Sequence, residues 1–527
     1  MALLDLVVSR WALVVIVAAV LFFYLFPYFM TYKHLRAIPA PFPAQFSDLW
    51  LLSTARRGKR YALVDEAHRQ LGPVVRIAPN HVSINDDEAI QIVYGHGNGY
   101  VKSSFYDAFV SIKRGLFNTR DRAEHTRKRK IVSHTFSAKS VGQFEPYIHN
   151  NLALFVRQWD ALIQQSARAR SRADGGGGAA AAAAHLDCLK WFNYLAFDII
   201  GDLAFGAPFG MLAAGADIAE VRSHPDSPPV FAPAIQILNR RGEVSATLGC
   251  LPELKPYAKW LPDPFFRHGL RAVENLAGIA VARVKARLDH PPAVRRKDLL
   301  EHLMHGRDDK GEPLGREELT AEALTQLIAG SDTTSNSSCA LLFHVVRTPG
   351  VLAQLQRELD RAIPNAEDDE DVPTYDKVRD LPYLQAVLHE GLRLHSTSGI
   401  GLPRQIPDDA PGLHLHGYYF PPGSVLSVPT YSVHHAKDIW GPDADAFRPE
   451  RWETLTARQK NAFIPFSYGP RSCVGRNVAE MEMKLILATW VRRYDVTLLQ
   501  DEMETREGFL RKPLELNIRI TKRKGIA

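Results

Sequence analysis

The run Phe466-Ser467-Tyr468-Gly469-Pro470-Arg471-Ser472-Cys473-Val474-Gly475 constrains this chain more than any other part of it. A lone cysteine is ordinarily a small buried hydrophobe, inert in a turn. Here it stands with an aromatic residue, two glycines and an arginine at fixed offsets, and each has a use if the sulfur is a thiolate holding an iron. Gly469 lets the backbone approach a large flat cofactor. Arg471 can pair with a cofactor carboxylate, and Phe466 can pack on the macrocycle beside the sulfur. Gly475 has no side chain to crowd the next helix, whose first amides can donate to the sulfur. A thiolate axial ligand pushes electron density onto haem iron and favours O–O cleavage. The full spacing selects Cys473 as the axial ligand of a haem iron.

The rest of the chain is compatible with that chemistry. Its 527 residues would allow several domains on length alone. The net charge is +6 with no dominant block of like charge, so nucleic acid is not implied, while acidic partners or a membrane surface stay open. Cys188, Cys250, Cys339 and Cys473 lie far apart with no C-x-x-C pair, so neither a zinc site nor a disulfide framework is suggested. Such usage fits a reducing compartment.

The N-terminus reads as a separate element. Ala12 to Met30 carries no charge and approaches the roughly 20 apolar residues that a bilayer span needs. Asp5 and Arg10 precede it, and Lys33, His34 and Arg36 follow, a slight positive bias that places the bulk of the chain in the cytosol. The run ends Phe26-Pro27-Tyr28-Phe29, without the small-residue cleavage site of a signal peptide. Pro39, Pro41 and Pro43 then form a stiff hinge. The expected organisation is a membrane anchor over 1–32, a basic, proline-rich hinge over 33–45 and the remainder over 46–527.

Within that remainder, 74–78 and 81–84 read as short strands with Pro79-Asn80 as the turn. Long helical patterns dominate from about Gly99. Ser166 to Ala184 is low-complexity and reads as a flexible surface insertion between helices. Asp289 to Gly315 reads as an exposed stretch around one short helix, and Asn365 to Asp371 as an acidic loop. Pro403 to Pro449 is rich in strands and turns. The fold class is mainly α with a small β region.

Glu317 to Arg347 is a long helical pattern stopped by Thr348-Pro349-Gly350. Its ends are strong helix, but Ala329 to Ser338 contains mostly weak helix formers and is polar where burial is expected. Local rules broken inside a consistent element point to function or strain. Gly330 leaves room beside the helix. An acid followed by a hydroxyl, Asp332-Thr333, can relay protons from solvent toward a reacting oxygen. The competing reading is a Ser/Thr-rich helix bonded back to its own carbonyls.

Three further constellations bear on the same site. Glu390 and Arg393 lie three apart on one helical face, and Arg451 stands in a turn about 20 residues before Cys473. A Glu held by two Args would fix the chain leading to the thiolate, a structural role. His125 and Arg129, four apart, and Arg404, after the loop Ser396 to Leu402, can neutralise haem propionates. Arg127, Lys128 and Lys130 read as solvated. Gly95 to Gly99 lacks a strand–loop–helix context for a nucleotide and reads as a flexible turn, so electrons must come from another protein.

With these motifs in order and at family spacing, residues of roughly 40–520 resemble the cytochrome P450 family. The anchor and proline hinge look like the microsomal eukaryotic type. One departure is His125, which stands where the family's Trp-x-x-x-Arg has its Trp. Segments such as 94–99, 104–109, 115–121, 191–198 and 504–513 look further like the fungal benzoate 4-monooxygenases. The resemblance implies a single, mostly helical haem-thiolate domain over 46–527 behind a transmembrane helix. It implies haem b (iron protoporphyrin IX), O2 and NADPH as cofactor and co-substrates. NADPH–cytochrome P450 reductase is then the electron donor, membrane lipid the surrounding partner, and benzoate the substrate, oxidised to 4-hydroxybenzoate. The implied location is the endoplasmic reticulum membrane, single-pass, with a cytosolic catalytic domain. On this reading Asp332 and Thr333 deliver protons, and His125, Arg129, Arg404 and Arg471 position the propionates.

A small anionic ring presents its para carbon only if its carboxylate is anchored at the far end of the pocket. Phe105, Tyr106, Phe109 and the 396–402 loop are candidate ring-packing residues. Candidate carboxylate partners are the hydroxyls of Ser103, Ser104, Tyr106, Ser396, Thr397 and Ser398, or a nearby Arg or Lys. The alternatives are the same chemistry on another small aromatic or a fatty acid, a haem-thiolate isomerase or peroxygenase, and a non-catalytic haem sensor. Asp332-Thr333 argues against the last two.

Overall fold

The computed structural model describes residues 2–173, 182–292, 296–308, 310–364 and 372–523. Helix α1 (Ala2–Phe26) begins the chain, and the core of the apolar span Trp11–Thr31 has no residue buried inside the protein. It is long and apolar enough to cross a bilayer.

Strands β1 (Val74–Ala78) and β2 (His81–Ile84) pair antiparallel around Pro79-Asn80, as their sequence predicts. With β3 (Val101–Lys102), β5 (Arg404–Gln405) and β6 (Val425–Ser427) they form a sheet in the order β1-β2-β6-β5-β3. Its register sets Lys102 directly opposite Arg404. Like charges facing each other across a ladder are unfavourable, so this edge is built for something other than stability. A second sheet joins β4 (Ala183–Asp187), β7 (Tyr494–Leu498) and β10 (Asn517–Lys522), and β8 (Thr505–Glu507) pairs with β9 (Arg511–Pro513) as a hairpin.

The bulk is helical: α2 (Arg122–Ser133), α3 (Glu145–Ala173), α4 (Cys188–Phe205), α5 (Ala234–Gly249), α6 (Pro264–Asp289), α7 (Arg316–Arg347), α8 (Pro382–Leu394) and α9 (Arg476–Arg493). The largest apolar core is continuous through α3, α4, α7, α8 and α9 and includes Trp159, Phe192 and Trp490, each at most 1% exposed.

Helix α7 spans the predicted length and ends where Thr348 turns to extended backbone before Pro349. Its polar middle is buried as expected, including Ser331, Asp332 and the run from Thr334 to Ser338. Gly330 leaves room beside the helix, and α4 fills it: a Cβ there would lie 2.6 Å from Ile200 Cδ1, so the missing side chain lets α4 pack against α7.

The Ser166–Ala184 segment is not wholly a loop. Helix α3 continues to Ala173, and Ala183 and Ala184 pair with β10, because alanine-rich sequence extends a helix readily and small residues fit a covered strand. Residues 174–181 of it, and the acidic loop 365–371, lie outside the described residues. In the 289–315 stretch the expected short helix, Leu299–Met304, buries Leu299, Leu300 and Leu303.

Candidate active site

The cysteine loop is closed by its own backbone, with the Cys473 amide donating to the Phe466 carbonyl at 2.9 Å. Arg129 donates to Ser472 O at 2.8 Å, and Arg471 to Thr119 O at 2.7 Å and Arg120 O at 3.0 Å. Arg129 thus ties the loop to the second half of α2, and Arg471 ties it to the segment just before that helix. Gly469 has φ +72°, and a Cβ there would stand 1.9 Å from Tyr94 O. Its freedom serves the loop's approach to the protein's own backbone. A Cβ at Gly475 would make only ordinary contacts, 3.9 Å from Phe136 and 4.0 Å from Cys473 Sγ.

Cys473 is the one exposed cysteine; the other three are buried. Though accessible, its sulfur is densely surrounded, and this burial pushes the thiol pKa up. The amides of Gly475 and Arg476 donate to the sulfur and, with the charges of Arg129 and Arg476, work the other way. These are the first amides of α9, where the helix macrodipole also favours a thiolate. Phe466 packs under the Arg476 guanidinium, 5.5 Å from its ring centroid.

His125, Arg129, Arg404 and Arg471 come together, as predicted, from α2, β5 and the cysteine loop. Lys102 joins them, a residue the sequence did not single out. Lys102 is buried and its pKa falls well below the usual lysine range, first through burial and then through Arg404, Arg471 and Arg129. Burial likewise drives the His125 pKa down to about 3, helped by Arg471, Lys102, Arg129 and Arg404. Among the described residues none of these five forms an ion pair with a carboxylate. Arginines gathered around a buried lysine without an anion are costly unless a ligand supplies one, and His125, held neutral, offers a ring N–H donor beside them. Such a set fits a cofactor with two carboxylates, and the amide-held sulfur fits an iron ligand.

The basic residues between them are not all solvated. Lys130 is exposed, but Lys128 is 3% exposed and bridges Glu318 at 2.6 Å and Glu322 at 3.0 Å, while Arg127 reaches Glu318 at 2.7 Å. Helix spacing alone could not show that α7 brings two glutamates against that face.

Behind the loop, Glu390 accepts Arg393 at 2.8 and 2.9 Å, Arg451 at 3.0 Å, the Arg448 amide at 3.0 Å and the Trp452 indole at 3.0 Å. Burial works to raise its pKa, yet these bonds and charges outweigh it and hold the carboxyl below its usual value.

On α7, the Thr333 hydroxyl donates to Ala329 O at 2.7 Å, and both residues are left uncovered by the core. Asp332 is buried and accepts Lys512 at 2.8 and 3.0 Å and Asn336 at 3.0 Å. A polar cleft of about 90 Å³ adjoins it, lined by Asn239, Glu243, Arg506 and Lys512 among others. That is room for a few waters beside the acid.

The predicted ring-packing residues also meet. Phe105, Tyr106 and Phe109 cluster with Ile400 of the 396–402 loop and with Phe117 and Phe509. Of the candidate hydroxyls, Ser103 is used to accept the Phe105 amide and Tyr106 to accept Arg404 at 3.2 Å, whereas the buried hydroxyls of Ser396 and Ser398 have no partner among the described residues.

The family model for cytochrome P450 matches residues 39–519. The chain belongs to the cytochrome P450 family. It is 60% identical over 526 residues to "Benzoate 4-monooxygenase bphA" of Aspergillus niger, with 99% of each chain covered. A "Cytochrome P450 monooxygenase" of Aspergillus terreus is 29% identical, covering 96% of this chain and 100% of the relative. A "Pisatin demethylase" of Fusarium vanettenii is 27% identical, over 91% and 88%. As a cytochrome P450 monooxygenase the protein uses haem b, O2 and NADPH-derived electrons received from a redox partner. The apolar N-terminal helix fits the membrane anchor of a microsomal P450.

Proposed function

We propose that this P450 hydroxylates benzoate at the para position: benzoate, O2, NADPH and a proton give 4-hydroxybenzoate, NADP+ and water. The observation that carries this reading is 60% identity along 99% of both chains to a benzoate 4-monooxygenase. When bound, the haem supplies oxygen activation, which a thiolate ligand favours.

The chain's own residues take the remaining roles. Cys473 would hold the haem iron through its sulfur, supported by the Gly475 and Arg476 amides that donate to it. Lys102, His125, Arg129, Arg404 and Arg471 orient the cofactor through its carboxylates, with Phe466 beside the sulfur. Asp332 takes protons from the polar cleft and passes them through the Thr333 hydroxyl, which must turn from Ala329 O to do so. The Phe105–Phe509 cluster packs the substrate ring and limits water. NADPH–cytochrome P450 reductase donates the electrons. Residues 1–32 anchor the chain in endoplasmic reticulum lipid and 33–45 form the hinge, with residues 46–527 on the cytosolic side.

Titration of benzoate into the purified ferric holoenzyme tests the substrate. A saturable low-to-high-spin Soret shift is expected. A protein that ignores benzoate but shifts with a fatty acid acts on a different substrate class.

A further inference from the structure

The carboxylate of an aromatic acid needs a cation, and most cations around the site are already committed. Lys102, His125, Arg129, Arg404 and Arg471 form the one group suited to the cofactor's carboxylates. Arg60, 5.4 Å from the Phe105 ring centroid, has the opposing charge of Glu507 beside it. Lys255 spends its ammonium on Asp107 O at 3.0 Å and Val110 O at 2.8 Å. Lys512 is bound to Asp332.

Arg241, on α5, is different. It is 5% exposed, and among the described residues it forms no ion pair with a carboxylate. Among the described residues its one hydrogen bond runs from a terminal nitrogen to Phe109 O at 3.0 Å, and its buried Nε has no partner there. A guanidinium carries five donors in a fixed fork that matches a carboxylate. Burying that fork largely unused is unfavourable without an anionic ligand.

Its surroundings suit a flat ring. The Arg241 carbon Cζ stands 5.3 Å from the Phe109 ring centroid. Phe109 in turn packs on Phe105 at 5.3 Å, Phe117 at 5.7 Å and Phe509 at 5.0 Å. The position is also next to the chemistry: Arg241 feels the charge of Asp332, the neighbour of Thr333 in α7. Asp332 does not neutralise it by contact, being held by Lys512 and Asn336.

We propose that the Arg241 guanidinium receives the substrate's carboxylate among the phenylalanines and thereby sets which ring carbon is oxidised. This deepens the benzoate reading and rests on it. Arg241 is a specificity residue that touches substrate at the end remote from the reacting carbon, where binding energy is used for orientation.

The test uses the full-length holoenzyme, followed by Soret shift, with benzoate and its uncharged ester methyl benzoate as paired probes. Arg241→Met is expected to weaken benzoate by roughly 10- to 100-fold, the loss of one buried charge-assisted contact. Methyl benzoate should bind wild type and variant within about 2-fold of each other, since it offers no anion for the guanidinium. Product from the variant should spread to other ring positions. Benzoate bound equally well by Arg241→Met, with 4-hydroxybenzoate still its only product, overturns the assignment. The carbon monoxide difference spectrum reports whether the variant holds haem. If Met does not yield holoenzyme, Arg241→Gln, which can still donate to Phe109 O, decides by the same criterion. A wild-type protein that responds to methyl benzoate but not to benzoate overturns the substrate reading itself, and the anchor with it.

Discussion

Lys512 Nζ lies 2.8 and 3.0 Å from the two carboxylate oxygens of Asp332, joining the β8–β9 hairpin to the polar middle of α7. The pair holds the acid beside a water-sized cleft, where it can accept a proton and pass it on. Replacing Lys512 by Met leaves that carboxylate unpaired, which costs about 3 kcal/mol in stability. Asp332→Asn removes the relay and should lower turnover about 100-fold with little change in substrate affinity. Equal turnover in wild type and Asp332→Asn, measured under saturating reductase, would show that the acid is only a structural partner of Lys512.

Thr333 tests the next step. Its hydroxyl bonds to Ala329 O, which is also what an inert helical threonine does. The two roles separate in coupling. If the hydroxyl carries protons, Thr333→Ala consumes NADPH while 4-hydroxybenzoate per NADPH falls at least ~5-fold and hydrogen peroxide rises. If the hydroxyl only back-bonds, the ratio of product to NADPH stays at the wild-type value.

What could be read in advance follows from separation along the chain. The cysteine loop, Asp332-Thr333 and Glu390–Arg393 are local spacings, so a backbone period or a turn already dictates their geometry. Lys102, Lys512 and Arg241 carry no such signal. Each acquires meaning from a distant partner: Lys102 through its register with Arg404, Lys512 through Asp332, and Arg241 through Phe109. A lysine in a strand or an arginine in a helix is ordinarily solvated, and only the assembled fold shows Lys102 and Arg241 to be buried and Lys512 half-buried. Lys128 was misread for the same reason, since Glu318 and Glu322 belong to another helix. The glycines show the same. Gly330 was expected to leave room beside its helix, and Ile200 fills that room; Gly469 was expected to admit a cofactor, and its Cβ position also meets Tyr94 O, a contact across the chain that local spacing does not announce.

The Glu390 network should be far more sensitive than an ordinary surface pair. One carboxylate accepts from Arg393, Arg451, Trp452 and the Arg448 amide, and Glu390 and Arg393 are fully buried. Glu390→Gln keeps the shape but leaves the buried Arg393 guanidinium without its anion and Arg451 with Asp443 alone, a loss of about 3 kcal/mol. The expected result is a much reduced yield of protein showing the thiolate-ligated carbon monoxide band, because the segment leading to Cys473 is no longer held. A variant with wild-type yield and an unchanged urea midpoint would reduce the network to an ordinary ion pair.

Glu482 supplies a pH-dependent contrast. It sits on α9, 4% exposed, with Thr334 of α7 donating to it at 3.0 Å. Burial raises its pKa from 4.5 to about 8, and only the Thr334 bond opposes this. The folded protein therefore keeps a proton there that the unfolded chain has lost above about pH 4.5. Since the native state binds more protons between these two values, stability from this group falls as pH rises from about 4.5 through about 8. Glu482→Gln is uncharged throughout and lacks that slope. Its melting temperature relative to wild type should climb by about 2 °C between pH 6 and pH 8.5, the modest shift expected of a few kcal/mol in a chain this long. A difference that stays flat across that interval, measured by thermal unfolding of the two holoenzymes side by side, would mean that Glu482 is already ionised in the fold and paired by a charge other than Thr334.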